Sequence, residues 1–105
     1  MKIKLKYDEQ EQRHLTLTDA DWEEIELFLE RVDDKFVSKL RSRFPQLTIN
    51  DMRLLFLLRL RLSTKTIAEI FKISEKSIKQ KLYLYKKKLG VEGESLSLRK
   101  FIENF

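Results

Sequence analysis

The side chains in this chain best suited to binding chemistry are amines, an amide and a phenol that repeat at helical spacing near residue 80. Lys76, Gln80, Tyr83 and Lys87 follow one another at intervals of four, three and four residues. At about 100° per residue, this spacing places them on one face of a helix. Ammonium groups donate hydrogen bonds to anionic oxygens, and a glutamine amide both donates and accepts. A face of this composition is suited to binding a polyanion.

The opposite face of the same segment is apolar. Ile78, Leu82, Tyr85 and Leu89 recur at the same intervals, which predicts an amphipathic helix with this stripe buried. Further lysines flank the polar face on both sides: Lys79, Lys81, Lys86 and Lys88. We therefore predict a helix over 75–88 that buries one side and presents cations on the other.

Charge is unevenly distributed along the chain. A lysine-rich face alone is most often only a solvated surface. Residues 8–34, however, hold eleven acidic residues against two arginines, a net charge of −9. Residues 35–90 hold fifteen basic residues against three acidic ones, a net charge of +12. A strongly basic half is typical of nucleic-acid-binding modules, because lysines and arginines release counterions when they neutralise phosphates.

Length and composition indicate one small domain. A chain of 105 residues hides roughly 65% of its unfolded surface on folding, which is enough for a modest core. The absence of cysteine excludes disulfides and thiolate metal sites and fits a reducing, cytoplasmic location. Because the sequence lacks both a run of about 18 apolar residues and the apolar core of a signal peptide, we expect no membrane contact.

Helix start and stop signals divide the chain into three regions. The first, at 1–18, is expected to be a short strand or a disordered lead-in, because charged and apolar residues alternate over 1–7 and no partner strand is evident. The second, at 19–45, is predicted to be a helical extension, and the third, at 46–105, a larger helical region.

The helical extension is predicted to contain two helices. Thr18 and Asp21 form a capping-box pattern at its start, and Asp33-Asp34 marks a break or bend. Pro45 ends the extension because the residue before proline avoids the α region. We expect its apolar stripe to pack on the same domain or to pair with a partner helix. The stripe comprises Trp22, Ile25, Phe28, Leu29, Val32, Phe36, Val37, Leu40 and Phe44.

The third region is predicted to contain four helices. Thr48 begins the first, which is apolar on nearly every side and should therefore be central. Ser63 begins a short helix over 64–71, and a three-residue turn leads to Ser74, which begins the basic helix that Gly90 ends. A short helix, a tight turn and a longer basic helix form the helix-turn-helix arrangement.

Motifs at fixed spacing cover residues 47–91. They occur in register as Leu47-Thr48, Asp51, Lys65, Ile67-Ala68-Glu69, Ile73-Ser74, Ser77-Ile78-Lys79 and Lys88-Leu89-Gly90-Val91. This pattern resembles the LuxR-type DNA-binding domain, also called the GerE or NarL type. The resemblance implies an all-α fold in which a LuxR-type four-helix domain follows the N-terminal helical extension. It also implies sequence-specific binding of double-stranded DNA, as the output domain of a bacterial transcriptional regulator.

The helical extension resembles, more loosely, the segment that precedes this domain in Bacteroidetes regulators, which implies a sensor domain outside this chain. Three positions depart from the family pattern. Asp51 stands where the family usually has Glu, Arg61 where a glycine commonly ends the first helix, and Lys81 where His or Arg is common. We therefore expect a shorter salt bridge from the acid and a bend before Leu62 that is made otherwise than by this position. Arg61 is a further candidate for a phosphate contact.

If the basic helix enters the major groove, Lys79, Gln80 and Tyr83 are placed to read base edges, and the resemblance implies the same positions. Glutamine pairs with adenine N6 and N7, and lysine donates to guanine N7 and O6. Tyr83 would pack on a thymine methyl group or donate to a phosphate. Contacts to the DNA backbone are expected from Thr64, Lys65, Lys76, Ser77 and Lys87. Thr64 and Ser77 have an alternative role as capping or packing residues.

The last helix is expected from about Leu96 to Asn104. The resemblance implies a homodimer on DNA with this helix at the interface, which would be formed by Leu98, Phe101, Ile102 and Phe105. The alternative is that these residues close the core of the monomer.

An enzyme is not expected. His14 is the only histidine, and the sequence has neither a catalytic constellation nor a glycine-rich phosphate loop nor the spacing of metal ligands. No catalytic residue, metal or cofactor is therefore predicted. Two other functions remain open: a domain like region four of sigma factors, and a helical protein-interaction module whose basic face binds an acidic partner, such as residues 8–34 of another copy.

Overall fold

The computed structural model of the chain describes residues 6–7, 15–91 and 97–105. Most of these residues are helical, which confirms the predicted all-α class at this level. The helices are α1 (Asp19–Arg31), α2 (Phe36–Arg43), α3 (Ile49–Arg59), α4 (Thr64–Phe71), α5 (Glu75–Lys88) and α6 (Leu98–Glu103). No helix in this described part is both long and apolar enough to cross a membrane.

Two short strands precede the helices. β1 (Lys6–Tyr7) and β2 (Leu15–Thr16) pair antiparallel, with Lys6 opposite Thr16 and Tyr7 opposite Leu15. The sequence predicted a strand or disorder here but offered no partner strand. β2 is that partner, and it packs against α4. Residues 1–5 and 8–14 of the lead-in lie outside the described residues.

Hydroxyl side chains begin five of the helices. Each accepts a hydrogen bond from a backbone N–H in the first helical turn, which would otherwise lack a partner. These N-cap residues are Thr18, Thr48, Ser63, Ser74 and Ser97. The first two complete capping boxes with Asp21 and Asp51. The helix starts predicted at Thr18, Thr48, Ser63 and Ser74 are therefore confirmed.

Three of the helices end beside a residue in the left-handed region. These are Arg61 after α3, Lys72 after α4 and Gly90 after α5, with φ values of 63°, 58° and 72°. After α3, the Leu62 N–H donates to the Leu57 carbonyl at 3.2 Å, as in a Schellman motif. The role predicted for Gly90 is confirmed, and Arg61 itself makes the bend before Leu62.

Helix α3 lies at the centre of the fold, as predicted from its apolar run. Met52 and all five residues of 54–58 are buried, and α3 packs against both α1 and α6. The same core contains Ile25 and Leu29 of α1, so it crosses the predicted boundary between the helical extension and the third region. Val32, predicted on the apolar side of α1, is instead 64% exposed, because it lies at the C-cap where the helix ends.

Arg59 links three parts of the fold. Its Nε and Nη2 donate to the two carboxylate oxygens of Asp33 at 2.7 and 3.0 Å. Its Nη1 donates to the carbonyls of Ile102 and Glu103 at 3.0 and 3.2 Å, and its guanidinium lies 4.8 Å from the centroid of the Phe36 ring. Arg59 thereby satisfies carbonyls at the end of α6 and joins α3 to the connection between α1 and α2.

The last helix closes the core of the monomer. Leu98 and Ile102 are 3% and 0% exposed, and Phe101 and Phe105 are half-buried against Phe44. Leu98 and Ile102 therefore have almost no surface left for a partner, which favours the alternative role of closing the monomer core for these two residues, whereas the homodimer itself stays a prediction. Phe101 and Phe105 keep exposed edges.

Candidate nucleic-acid interface

Helices α4 and α5 pack against each other and are joined by the turn at 72–74. The left-handed conformation of Lys72 turns the chain, and the Ile73 N–H donates to the Ala68 carbonyl at 3.1 Å. Ala68 is buried. The bounds of both helices match the spans predicted from the caps, because the signals that fix them are local.

The two faces of α5 differ as the periodicity predicts. Ile78 is fully buried, and Leu82 and Tyr85 are half-buried against the core. The outward side chains are all exposed: Lys76, Lys79, Gln80, Tyr83 and Lys87. Tyr83 is 62% exposed, which is unusual for a large aromatic ring in a soluble domain.

The three predicted base-reading residues lie together on this outward face. Lys79, Gln80 and Tyr83 line a shallow depression of about 460 Å³ with Lys76 and Leu84. The Lys87 Nζ lies 4.8 Å from the centroid of the Tyr83 ring, a cation–π distance at which each side chain restricts the other. We call these six residues the α5 outer face.

Two of the predicted backbone-contacting residues have structural roles. The Ser77 hydroxyl accepts a hydrogen bond from the Ser74 hydroxyl at 3.0 Å, so it belongs to the cap of α5. The Thr64 hydroxyl accepts from Arg99 Nη2 at 3.3 Å. Both side chains are half-buried, whereas Lys65 is exposed on α4.

Arg99 is a cation near the interface that the sequence did not single out. Its Nη1 donates to the Leu62 carbonyl at 2.7 Å, and its contact with Thr64 places the guanidinium at the start of α4. The same guanidinium lies 3.9 Å from the Glu103 carboxylate, so Arg99 joins α6 to the start of α4 and is itself ion-paired. Arginine in the last helix was visible in the sequence, but its proximity to α4 depends on tertiary packing.

The C-terminal end of α5 is anchored to the start of α3. The Lys88 Nζ lies 2.5 Å from the Asp51 Oδ2, and the Gln46 side-chain amide donates to the Lys88 carbonyl at 3.1 Å. Asp51 is 5% exposed. Although shorter than glutamate, the Asp51 side chain therefore still reaches α5.

The Asp51 carboxylate also accepts a hydrogen bond from the Tyr85 hydroxyl. Burial acts to raise the pKa of the Asp51 carboxyl, but hydrogen bonds outweigh that effect and lower the pKa to about 2. They come from Lys88, from the Thr48 backbone and side chain, and from the Tyr85 hydroxyl. Burial and the adjacent carboxylate raise the pKa of Tyr85. The hydroxyl therefore stays protonated and donates to Asp51, which fixes α5 relative to α3.

Comparison of the chain with protein-family models, with curated proteins and with solved structures found no match. The geometry and charge of α4 and α5 are therefore the basis for a functional proposal.

Proposed function

We propose that this protein binds double-stranded DNA sequence-specifically, as the output domain of a bacterial transcriptional regulator. In this proposal α4, the turn at 72–74 and α5 are a helix-turn-helix of the LuxR type, and α5 enters the major groove. The observation that carries the proposal is the α5 outer face, on which exposed lysine, glutamine and tyrosine side chains lie opposite a buried stripe.

The dimensions and chemistry of α5 fit a major groove. An α-helix with its side chains is about 10–12 Å wide, and the groove is about 12 Å wide. Gln80 would pair with adenine N6 and N7, and Lys79 would donate to guanine N7 or O6. Lys65, Lys76 and Lys87 would contact phosphates and set the register.

The distribution of charge supports the same orientation. Residues 35–90, with a net charge of +12, include the whole of α4 and α5. The exposed acidic side chains of α1, such as Glu23 and Glu24, lie on a helix that packs against α2 and α3. The basic half would attract DNA, and the acidic helix would disfavour binding in the reverse orientation.

Measuring DNA binding at several salt concentrations distinguishes this function from the alternative, in which the basic face of a helical module binds an acidic protein. We expect affinity for a random duplex to fall steeply as the salt concentration rises. The steepness depends on how many phosphates the protein neutralises. A duplex selected from a randomised pool should bind more tightly than the random duplex at every salt concentration. Enrichment of no sequence from the pool would contradict sequence-specific binding and favour the interaction module.

Two substitutions on the α5 outer face test the assigned roles. Gln80→Ala should relax preference at one base pair by about 1–3 kcal/mol. Lys87→Ala should weaken binding to all sequences alike and reduce the salt slope by about 1. Lys39→Ala removes the same charge from an exposed site on α2, where the ammonium pairs with the Asp34 carboxylate at 2.7 Å. It is the control, and we expect a small effect because this charge lies outside α4 and α5 and is already paired. Equal losses on selected and random DNA for both test variants would contradict base reading by Gln80.

A further inference from the structure

We infer that Leu84 is a specificity-determining residue that receives the 5-methyl group of a thymine, next to the base pair contacted by Gln80. The inference rests on the proposed function and deepens it, because it assigns a preferred base to an apolar side chain on the α5 outer face. The preferred site would then contain a thymine at one fixed position.

Leu84 presents apolar surface to solvent on α5. It is 58% exposed and follows Tyr83, which is 62% exposed, so the two form an apolar patch on an otherwise lysine-rich helix. A single exposed leucine is common and needs no explanation. Leu84, however, lines the same depression as Lys79, Gln80 and Tyr83, so it lies within the face proposed to read bases.

The chemistry of the depression identifies its occupant. Lys76 and Lys79 line it with positive charge, which favours a polyanion. Leu84 and Tyr83 line it with apolar surface. Among the base edges of the major groove, the thymine C5-methyl is the apolar group. RNA is disfavoured, because it carries uracil in place of thymine and its deep, narrow major groove excludes side chains.

The test uses a duplex selected by the wild-type protein from a randomised DNA pool. Each thymine of this duplex is replaced in turn by uracil, which removes the methyl group and keeps the base pair. We expect one position at which the replacement weakens binding about fourfold, the effect of one buried methyl group. Leu84→Ala should weaken binding to the thymine duplex by a similar factor and should no longer distinguish thymine from uracil there.

Matched variants separate the alternatives. Leu27→Ala removes another exposed leucine, 50% exposed on α1, and should leave both affinity and thymine preference unchanged. The inference is overturned if Leu84→Ala keeps the full preference for thymine, including the case in which Tyr83→Ala alone abolishes it. It is also overturned if no uracil replacement weakens wild-type binding, although the proposed function then stands. Failure of the wild-type protein to select any sequence would overturn both.

Because Leu84 is exposed and alanine favours helix, the Leu84→Ala variant should keep the helicity of the wild type. Circular dichroism of each variant before the binding measurement verifies this. A helical Leu84→Ala protein that has lost thymine discrimination but still selects the remaining positions of the site would support the inference.

Discussion

At the start of α3, the Asp51 carboxylate accepts hydrogen bonds from the Thr48 N–H at 3.0 Å and from the Lys88 ammonium. One side chain thereby completes a capping box and links two helices that are distant in sequence. The capping box was predictable, because its two residues are three positions apart. The sequence predicted a salt bridge from Asp51 but did not identify its partner, since local sequence does not place Lys88 at the end of α5 beside α3.

Asp51→Asn should lower the free energy of unfolding by about 2 kcal/mol near neutral pH. The folded protein lowers the pKa of this carboxyl from 3.8 to about 2, and a tenfold change in an ionisation constant corresponds to about 1.4 kcal/mol. A lowered pKa stabilises the fold above the unfolded-state value, and this contribution is lost as the pH falls through 3.8 towards 2. Urea unfolding of both proteins at several pH values measures the difference.

The two stabilities should therefore differ most above about pH 5 and converge in acid. Glu24→Gln, which removes an exposed negative charge from α1, is the control and should change stability little. A constant difference between wild type and Asp51→Asn at every pH would show that the loss comes from altered packing instead.

At the scale of single residues, the sequence predicted those side chains of the candidate site whose exposure depends only on helical periodicity. Gln80 and Tyr83 are exposed because they lie opposite Ile78 and its buried neighbours, and Lys79 is exposed because it flanks that outward face. Arg99 was missed, because its position beside α4 depends on how α6 packs, which no local pattern encodes.

At the scale of elements, helix starts were predicted well and strand pairing was not. A hydroxyl cap acts over three residues, so Ser63 and Ser74 could be identified from neighbouring residues alone. The pairing of β1 with β2 joins residues eight and ten positions apart in two-residue strands, which are too short to show a clear pattern. The end of α3 was also unexpected, because Arg61 adopts a conformation usually found with glycine.

Arg61→Gly should raise the free energy of unfolding by about 1 kcal/mol. Arg61 has a φ of 63°, where a side chain with a Cβ atom is strained and glycine is not. The exposed Arg61 side chain contributes little packing to offset that strain. Thermal unfolding should show a higher midpoint, by about 4 °C for a domain of this size.

Arg61→Ala is the matched control, because it removes the charge and keeps the Cβ atom. It should not raise the midpoint. Equal stabilisation by both substitutions would assign the effect to loss of positive charge near other cations. A drop in DNA affinity shared by both variants would separately indicate that Arg61 contacts phosphate.

At the scale of the whole molecule, the helical extension and the region that follows share one core. Trp22 and Leu29 of α1 belong to the same buried cluster as Leu55 of α3 and Ile78 of α5, and Arg59 ties the connection between α1 and α2 to α3 and α6. The sequence located a boundary near residue 45 from Pro45, which correctly marks the end of a helix. Whether two helical segments share a core depends on packing, which a stop signal does not reveal.

The shared core leads us to expect a single cooperative unfolding transition. Trp22 is the only tryptophan and is 8% exposed in α1, so its fluorescence reports on the helical extension, whereas far-ultraviolet circular dichroism reports on all helices. The two signals should give the same midpoint in urea.

Leu29→Ala, which truncates a side chain that is 1% exposed, should lower the free energy of unfolding by about 3 kcal/mol and shift both midpoints together. A fluorescence transition with its midpoint at a lower urea concentration than that of the circular dichroism transition would show instead that the extension unfolds separately. α5 would then keep its support from α3 and α6 without α1.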